Sequence, residues 1–219
     1  MEKRKLKVLI ACEYSGIVRD EFLKLGHDAV SCDLLETESD FNGLATHYVG
    51  DVKDILYDGW DLMIAHPPCT YLAISGSWTL YNPKDMHLQR DIRREHPNYP
   101  NRRQKMFEAL HFVKLLMEAP INKICIENPN SLISTYIRAA DQIIQPYEFG
   151  DLESKRTFLW LKNLPPLKKT NDRTEEIMKL PKMLRTPKAN LPPTPDRSKL
   201  RSQFFQGVAQ AMAEQWSSD

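Results

Sequence analysis

Asp61-Leu-Met-Ile-Ala-His-Pro-Pro-Cys69-Thr-Tyr-Leu72 is an apolar run of strand length, halted by two prolines, with a thiol at its end. A second run of the same build, Lys123-Ile-Cys-Ile-Glu127-Asn128-Pro129, ends on an acid. Parallel strands in an open sheet bring their carboxyl ends to one rim. Cys69 and Glu127 are therefore expected to face one substrate although 58 positions separate them. The prolines hold Cys69 in a restricted turn and aim its thiol into the cleft above the sheet.

Outward from these runs the chain alternates strand and helix patterns. Leu6 to Ala11 reads as a buried strand. Ile17 to Leu25 reads as a helix with Val18, Phe22 and Leu25 on one face, closed by Gly26. Asp28 to Asp33, His47 to Gly50 and Asp61 to Ala65 read as strands two to four. Lys123 to Ile126, Gln142 to Gln145 and Thr157 to Leu161 complete seven. The expectation is an α/β fold with a mostly parallel seven-stranded sheet. A polar, basic tract over 75–105 precedes an amphipathic helix from Met106 to Met117. A Pro- and Lys-rich stretch over 162–199 reads as loop, with a helix around Thr174 to Leu180. Phe204, Val208, Met212 and Trp216 form one apolar stripe on a final helix.

The totals set bounds. With 219 residues, 42% of them hydrophobic, one well-buried core is expected, so 1–219 reads as a single domain. The net charge of +1 hides a local excess of cations in the basic tract. No run reaches the length of a membrane span and no signal-peptide cleavage region follows the N-terminus, which predicts a cytoplasmic protein without a membrane partner. The four cysteines are too widely spaced for a zinc site or disulfide framework. Cys12, Cys32 and Cys125 read as core.

Joined together, the Pro-Pro-Cys69 and Glu127-Asn128-Pro129 motifs resemble those of the DNA cytosine-5 methyltransferase family, most closely a short type found in phage genomes. The family places its nucleophile after strand four and its acid after strand five. The resemblance implies a Rossmann-like class I fold with helices on both faces of the sheet, and S-adenosylmethionine as cofactor. It also implies DNA as substrate, in the host cytoplasm if the chain is phage-encoded. Ala11-Cys-Glu13-Tyr14-Ser15-Gly16 occupies the place of the turn that receives the methionine end of the cofactor. Asp33 matches the acid that holds the ribose hydroxyls, and Asp51 in Gly50-Asp51-Val52 matches the Asp at the adenine. Pro67 and the Gln206-Gly207 pair of the last motif complete the implied cofactor set. Ser154-Lys-Arg156-Thr-Phe158 is similar to the family's Gln-x-Arg-x-Arg motif, with Arg156 on the second arginine and Leu152 and Ser154 in place of the glutamine and the first arginine.

The implied chemistry gives each residue a role. Carbon 5 of cytosine is a poor nucleophile, so the Cys69 thiolate adds first at carbon 6. Glu127 serves ring nitrogen 3, and Arg156 holds oxygen 2 and favours the thiolate. Arg90, Arg93, Arg94, Arg102 and Arg103 are the expected nucleic-acid contacts, and 162–199 is a reduced recognition segment. Three alternatives stay open: a free nucleotide substrate, a single-stranded one, and a non-catalytic nucleic-acid-binding protein that kept the fold. An amino-methyltransferase is disfavoured by Cys69, and by His66 where such enzymes carry Asp, Asn or Ser.

Overall fold

Side chains along each central strand alternate between two apolar layers, which is why the strands read as continuous apolar runs. Leu9, Ala11, Met63, Ala65, Ile124, Ile126, Phe158 and Trp160 enter one layer. Val8, Ile10, Leu62, Ile64, Cys125 and Leu159 enter the other. The computed structural model describes residues 4–41, 46–195 and 197–217. Its elements in chain order are β1 (Lys7–Ala11), α1 (Ile17–Lys24), β2 (Asp28–Asp33), β3 (His47–Val49), β4 (Leu62–Ala65), α2 (Arg102–Met117) and β5 (Lys123–Pro129). After these come α3 (Ile133–Tyr136), β6 (Gln142–Ile144), β7 (Thr157–Lys162), α4 (Thr174–Lys179), α5 (Arg197–Ser202) and α6 (Gln206–Trp216).

The sheet order is β3-β2-β1-β4-β5-β7-β6. Strands β1 to β5 pair in parallel, whereas β7 runs antiparallel to both β5 and β6. The sheet is thus mixed, with one strand reversed. The strand order turns back between β1 and β4, and ligands of open α/β sheets bind outside the carboxyl ends at that switch point. Helix α2 covers one face through Met106, Leu110, Val113 and Leu116. Helices α1 and α6 cover the other, with Val18 and Phe22 beside Val208, Met212 and Trp216. Fully burying each such side chain contributes roughly 1.5–3 kcal/mol. No helix among the described residues is long and apolar enough to cross a membrane.

Several expectations need correction. Leu25 caps the end of α1 and is exposed rather than packed with Val18 and Phe22. Helix α2 starts at Arg102 and not Met106, because its first turn is made of good helix formers without apolar spacing. Cys12 is not a core strand residue but sits in a left-handed turn with φ 59°. Strand β5 continues to Pro129, so Glu127 and Asn128 pair with Leu159 and Phe158 inside the sheet. The 75–105 tract is ordered into short 3-10 turns at Ile74–Leu80, Pro83–Asp85 and Arg90–Ile92.

Candidate active site

The parallel register Ala65↔Ile126 sets His66 and Glu127 as the next residues on neighbouring strand ends. The two side chains meet, with His66 Nδ1 3.1 Å from Glu127 Oε2. The His66 backbone N–H continues the ladder by donating to the Ala11 carbonyl. Asn128 Nδ2 then donates to the Pro67 carbonyl at 2.8 Å, which fixes the proline turn to β5. Beyond it the Cys69 carbonyl accepts from Leu72 and Ala73, and Leu72 and Ile74 bond to Leu132 and Asn130. Cys69 is held at both ends by this lattice while remaining exposed.

Electrostatics couple the two central groups. Partial burial pushes the Cys69 thiol up, the Glu127 charge pushes it further, and Lys155 and Arg201 oppose the rise without cancelling it. Burial also pushes the Glu127 carboxyl up, but the His66 hydrogen bond and the Lys155 charge outweigh it, and the acid ends below its ordinary value. Glu127 is therefore ionised near neutrality, and Cys69 is a thiol. Four buried polar atoms at these strand ends have no hydrogen-bond partner among the described residues: His66 Nε2, Glu127 Oε1, Asn128 Oδ1 and Ser131 Oγ. Buried polar groups are nearly always paired, so these atoms at a strand rim are positions where ordered water or a polar ligand would complete the hydrogen bonding.

Arg156 is exposed and stacks on Phe158, 5.4 Å from the ring centroid. Its neighbour Lys155, half-buried over Phe205, is the cation whose charge reaches both Glu127 and Cys69. Sequence reasoning passed over Lys155, although adjacent residues of an extended chain point to opposite faces and only one of the pair can turn toward Glu127. It also passed over Asn128 as a clamp, and treated His66 as a departure rather than as Glu127's partner.

On the cofactor side the predicted residues are largely engaged within the protein. Glu13 accepts from the backbone N–H groups of Val18 and Arg19 and from the Ser15 hydroxyl, and so caps α1. The Tyr14 hydroxyl donates to the Lys199 carbonyl and lies 3.1 Å from Ser202 Oγ, which ties α5 to the turn after β1. Gln206 donates to Glu21, and the Gly207 N–H donates to Asp151. A Cβ on Gly207 would lie 1.9 Å from the Phe149 carbonyl oxygen, so only glycine fits there. Gly16 has φ 76°, and a Cβ on it would lie 2.7 Å from Arg19 and Ser39. Arg19 itself is fully buried, bonded to Asp20, Ser31 and Thr37, a structural cation that the sequence did not announce.

Asp33 and Asp51 project at the ends of β2 and β3. Burial first, and these two acids second, push the Cys32 thiol up to about 12 and raise Cys12 as well, which puts both carboxylates beside the β1 turn. Asp33 accepts from the Leu35 N–H, and Asp51 accepts from the Lys53 N–H and pairs with its ammonium. Gly16, Asp33 and Asp51 thus lie on the carboxyl side of the sheet, after β1, at the end of β2 and after β3.

Most of the basic tract is engaged internally. Arg94 grips Asp85 through two nitrogens and holds that acid down to about 2. Arg93 donates to the Leu88 and Met86 carbonyls, and Arg103 to that of Arg93. Arg102 donates to the Thr70 carbonyl beside Cys69 and stacks on Tyr71. Arg90 is exposed.

No protein-family model and no curated protein matches the chain. Sixty chains of solved structures match it. One is a candidate DNA modification methyltransferase encoded within a prophage of E. coli, 14% identical over 72% of this chain and 46% of that one, with a TM-score of 0.41. The present chain spans less than half the length of that protein. A likeness of this size carries no weight for activity, which rests on the geometry of the site.

Proposed function

We propose that the chain is a methyltransferase that transfers a methyl group from S-adenosylmethionine to carbon 5 of cytosine in DNA, through a covalent adduct on Cys69. The observation that carries this reading is the coupling of an exposed thiol to a buried, His-paired acid on neighbouring strand ends, ringed by unpaired polar atoms. Gly16, Asp33 and Asp51 would hold the cofactor, with the Pro67 turn at the border between the two sites. When bound, the cofactor supplies an electrophilic methyl group.

The protein's own residues then have definite work. The Cys69 thiolate forms a bond to carbon 6, and the displaced electron pair spreads over carbon 5, nitrogen 3 and oxygen 2. Nitrogen 3 requires a donor there, so Glu127 must be protonated, and His66 Nδ1 at 3.1 Å is placed to relay that proton. Neutralising Glu127 removes the negative charge that opposes the Cys69 thiolate. Gaining the proton at Glu127 and losing it at Cys69 therefore favour each other. Carbon 5, once it carries the methyl group, gives its proton to water. The C–H electron pair re-forms the 5,6 double bond as the carbon 6–sulfur bond breaks, the thiolate is regenerated, and nitrogen 3 returns its proton to Glu127. Arg156 on its Phe158 shelf is assigned to oxygen 2, with Lys155 as the nearer source of positive charge for the thiolate.

The test is incubation with an oligonucleotide containing 5-fluorocytosine and S-adenosylmethionine, followed by mass spectrometry. Fluorine at carbon 5 cannot leave as a proton does, so a covalent adduct on Cys69 is expected. Cofactor binding without any adduct would overturn the mechanism. One observation favours the second reading, a non-catalytic binder of nucleic acid: Glu13, Tyr14 and Gln206 are all engaged within the protein. A chain that fails to bind S-adenosylmethionine by calorimetry would support that reading.

A further inference from the structure

The excursion between β4 and α2 carries aromatic rings whose exposure the fold itself does not explain. Trp78 is 58% exposed and Tyr99 39% exposed, while the ring between them, His96, is buried. Trp78 meets His96 at 5.7 Å and Tyr99 at 5.4 Å, in edge-to-face geometry at 79° and 90°. His96 and Tyr99 are themselves 4.9 Å apart. The rings are held in place: His96 Nδ1 accepts from the Asn98 N–H, the Tyr99 N–H donates to the His96 carbonyl, and the Asp85–Arg94 clamp closes the loop between Trp78 and His96.

The surroundings are cationic. Between Thr70 and Phe107 the sequence has seven Lys and Arg against three acids, in a chain whose net charge is +1. Arg102 and Lys105 lie over Tyr71. The patch also joins the candidate active site, because the turn Ile74–Leu80 that bears Trp78 follows directly on the Cys69 loop and Arg102 bonds to Thr70. Exposed rings among cations form a surface on which unpaired bases stack while their phosphates are neutralised. A duplex offers phosphates to such a surface but keeps its base faces covered.

We propose that this excursion is a stacking surface for an unpaired base, so that the nucleic acid presented to Cys69 is single-stranded or locally opened. The binding surface stands by itself; its link to Cys69 rests on the reading given above.

The full-length chain supplies its own reporter. Trp60, Trp160 and Trp216 are buried, so quenching of the exposed tryptophan emission reports on Trp78. A mixed-sequence single-stranded 12-mer is expected to quench this emission and to bind more tightly than its duplex. Anisotropy of the labelled strand should show affinity falling about tenfold in Trp78→Leu and recovering largely in Trp78→Phe, which keeps a ring. Unchanged affinity in Trp78→Leu, or duplex binding tighter than single-strand binding without quenching, would overturn the inference. The two readings fail separately. A Cys69 adduct that forms with Trp78→Leu binding undiminished removes the stacking surface and keeps the chemistry, whereas Trp78-dependent binding without an adduct does the reverse.

Discussion

The carboxyl ends of β4 and β5 differ in one physical respect from the turn after β1 and the start of α6, although both regions carry motif residues. At the β4 and β5 ends, buried polar atoms of His66, Glu127, Asn128 and Ser131 are left without partners. At the β1 turn and α6, Glu13, Tyr14, Gln206 and Gly207 have protein partners. On the proposed reading the first region is completed by a ligand, and the second holds the first in place. Motif residues thus divide by whether the fold satisfies them, a division that residue type alone does not reveal.

The largest effects should come from the unsatisfied side. Cys69→Ser is expected to lower methyl transfer to DNA by at least about a thousandfold, because a hydroxyl has no comparable nucleophile at neutral pH. The thermal transition should stay within a degree or two of the parent, since Cys69 is exposed. Glu127→Gln should follow, with a loss of roughly 10²–10⁴-fold, the usual share of an acid–base group. Transfer assays with tritiated cofactor measure both. Turnover at the parent rate in either variant would erase the distinction between the two regions.

The satisfied side should respond in stability instead. Gly207→Ala places a methyl group against the Phe149 carbonyl. It should cost about 1–3 kcal/mol by forcing α6 off its seat. Calorimetry should show a transition several degrees lower, roughly 2–4 °C per kcal/mol for a chain of this size. A normal transition with lost cofactor affinity would instead move Gly207 into the ligand-binding group.

Much of this was legible in advance, for reasons that can be named. The inner strands were readable because strands buried on both faces leave apolar runs, and the carboxyl ends of β4 and β5 share one rim because the two strands run in parallel. What was not legible depends on side-chain direction or on partners distant in sequence. Arg19 looks like a surface residue of α1 until Ser31 and Thr37 are seen to enclose it. Lys155 and Arg156 differ only in the face to which each turns. The order in the 75–105 tract comes from arginines bonding to carbonyls and to Asp85, a pattern with no period to detect. His66 was noticed for what it is not, because nothing in the sequence fixes the register Ala65↔Ile126 that sets it beside Glu127.

The smallest expected effect is the most direct test of the coupling within the unsatisfied region, because it needs neither substrate nor cofactor. Burial and the Glu127 charge hold the Cys69 thiol above its ordinary value, while Lys155 pulls it down. Alkylation by iodoacetamide proceeds through the thiolate, so its rate at pH 8 follows the thiolate fraction. Glu127→Gln removes a negative charge and must lower the Cys69 value, so alkylation should become faster in the same variant that loses turnover. Lys155→Met removes the opposing positive charge and must slow it. Each change should be about two- to tenfold, the span of a shift of up to one pKa unit. Cys32 and Cys125 are buried, and Cys12 is raised further than Cys69, so the label should report Cys69. Opposite signs for the two substitutions would establish that thiol and acid share one electrostatic environment. Equal rates would mean that the Glu127 charge does not reach the thiol, and a proton gained at the acid could not then release the one at the nucleophile.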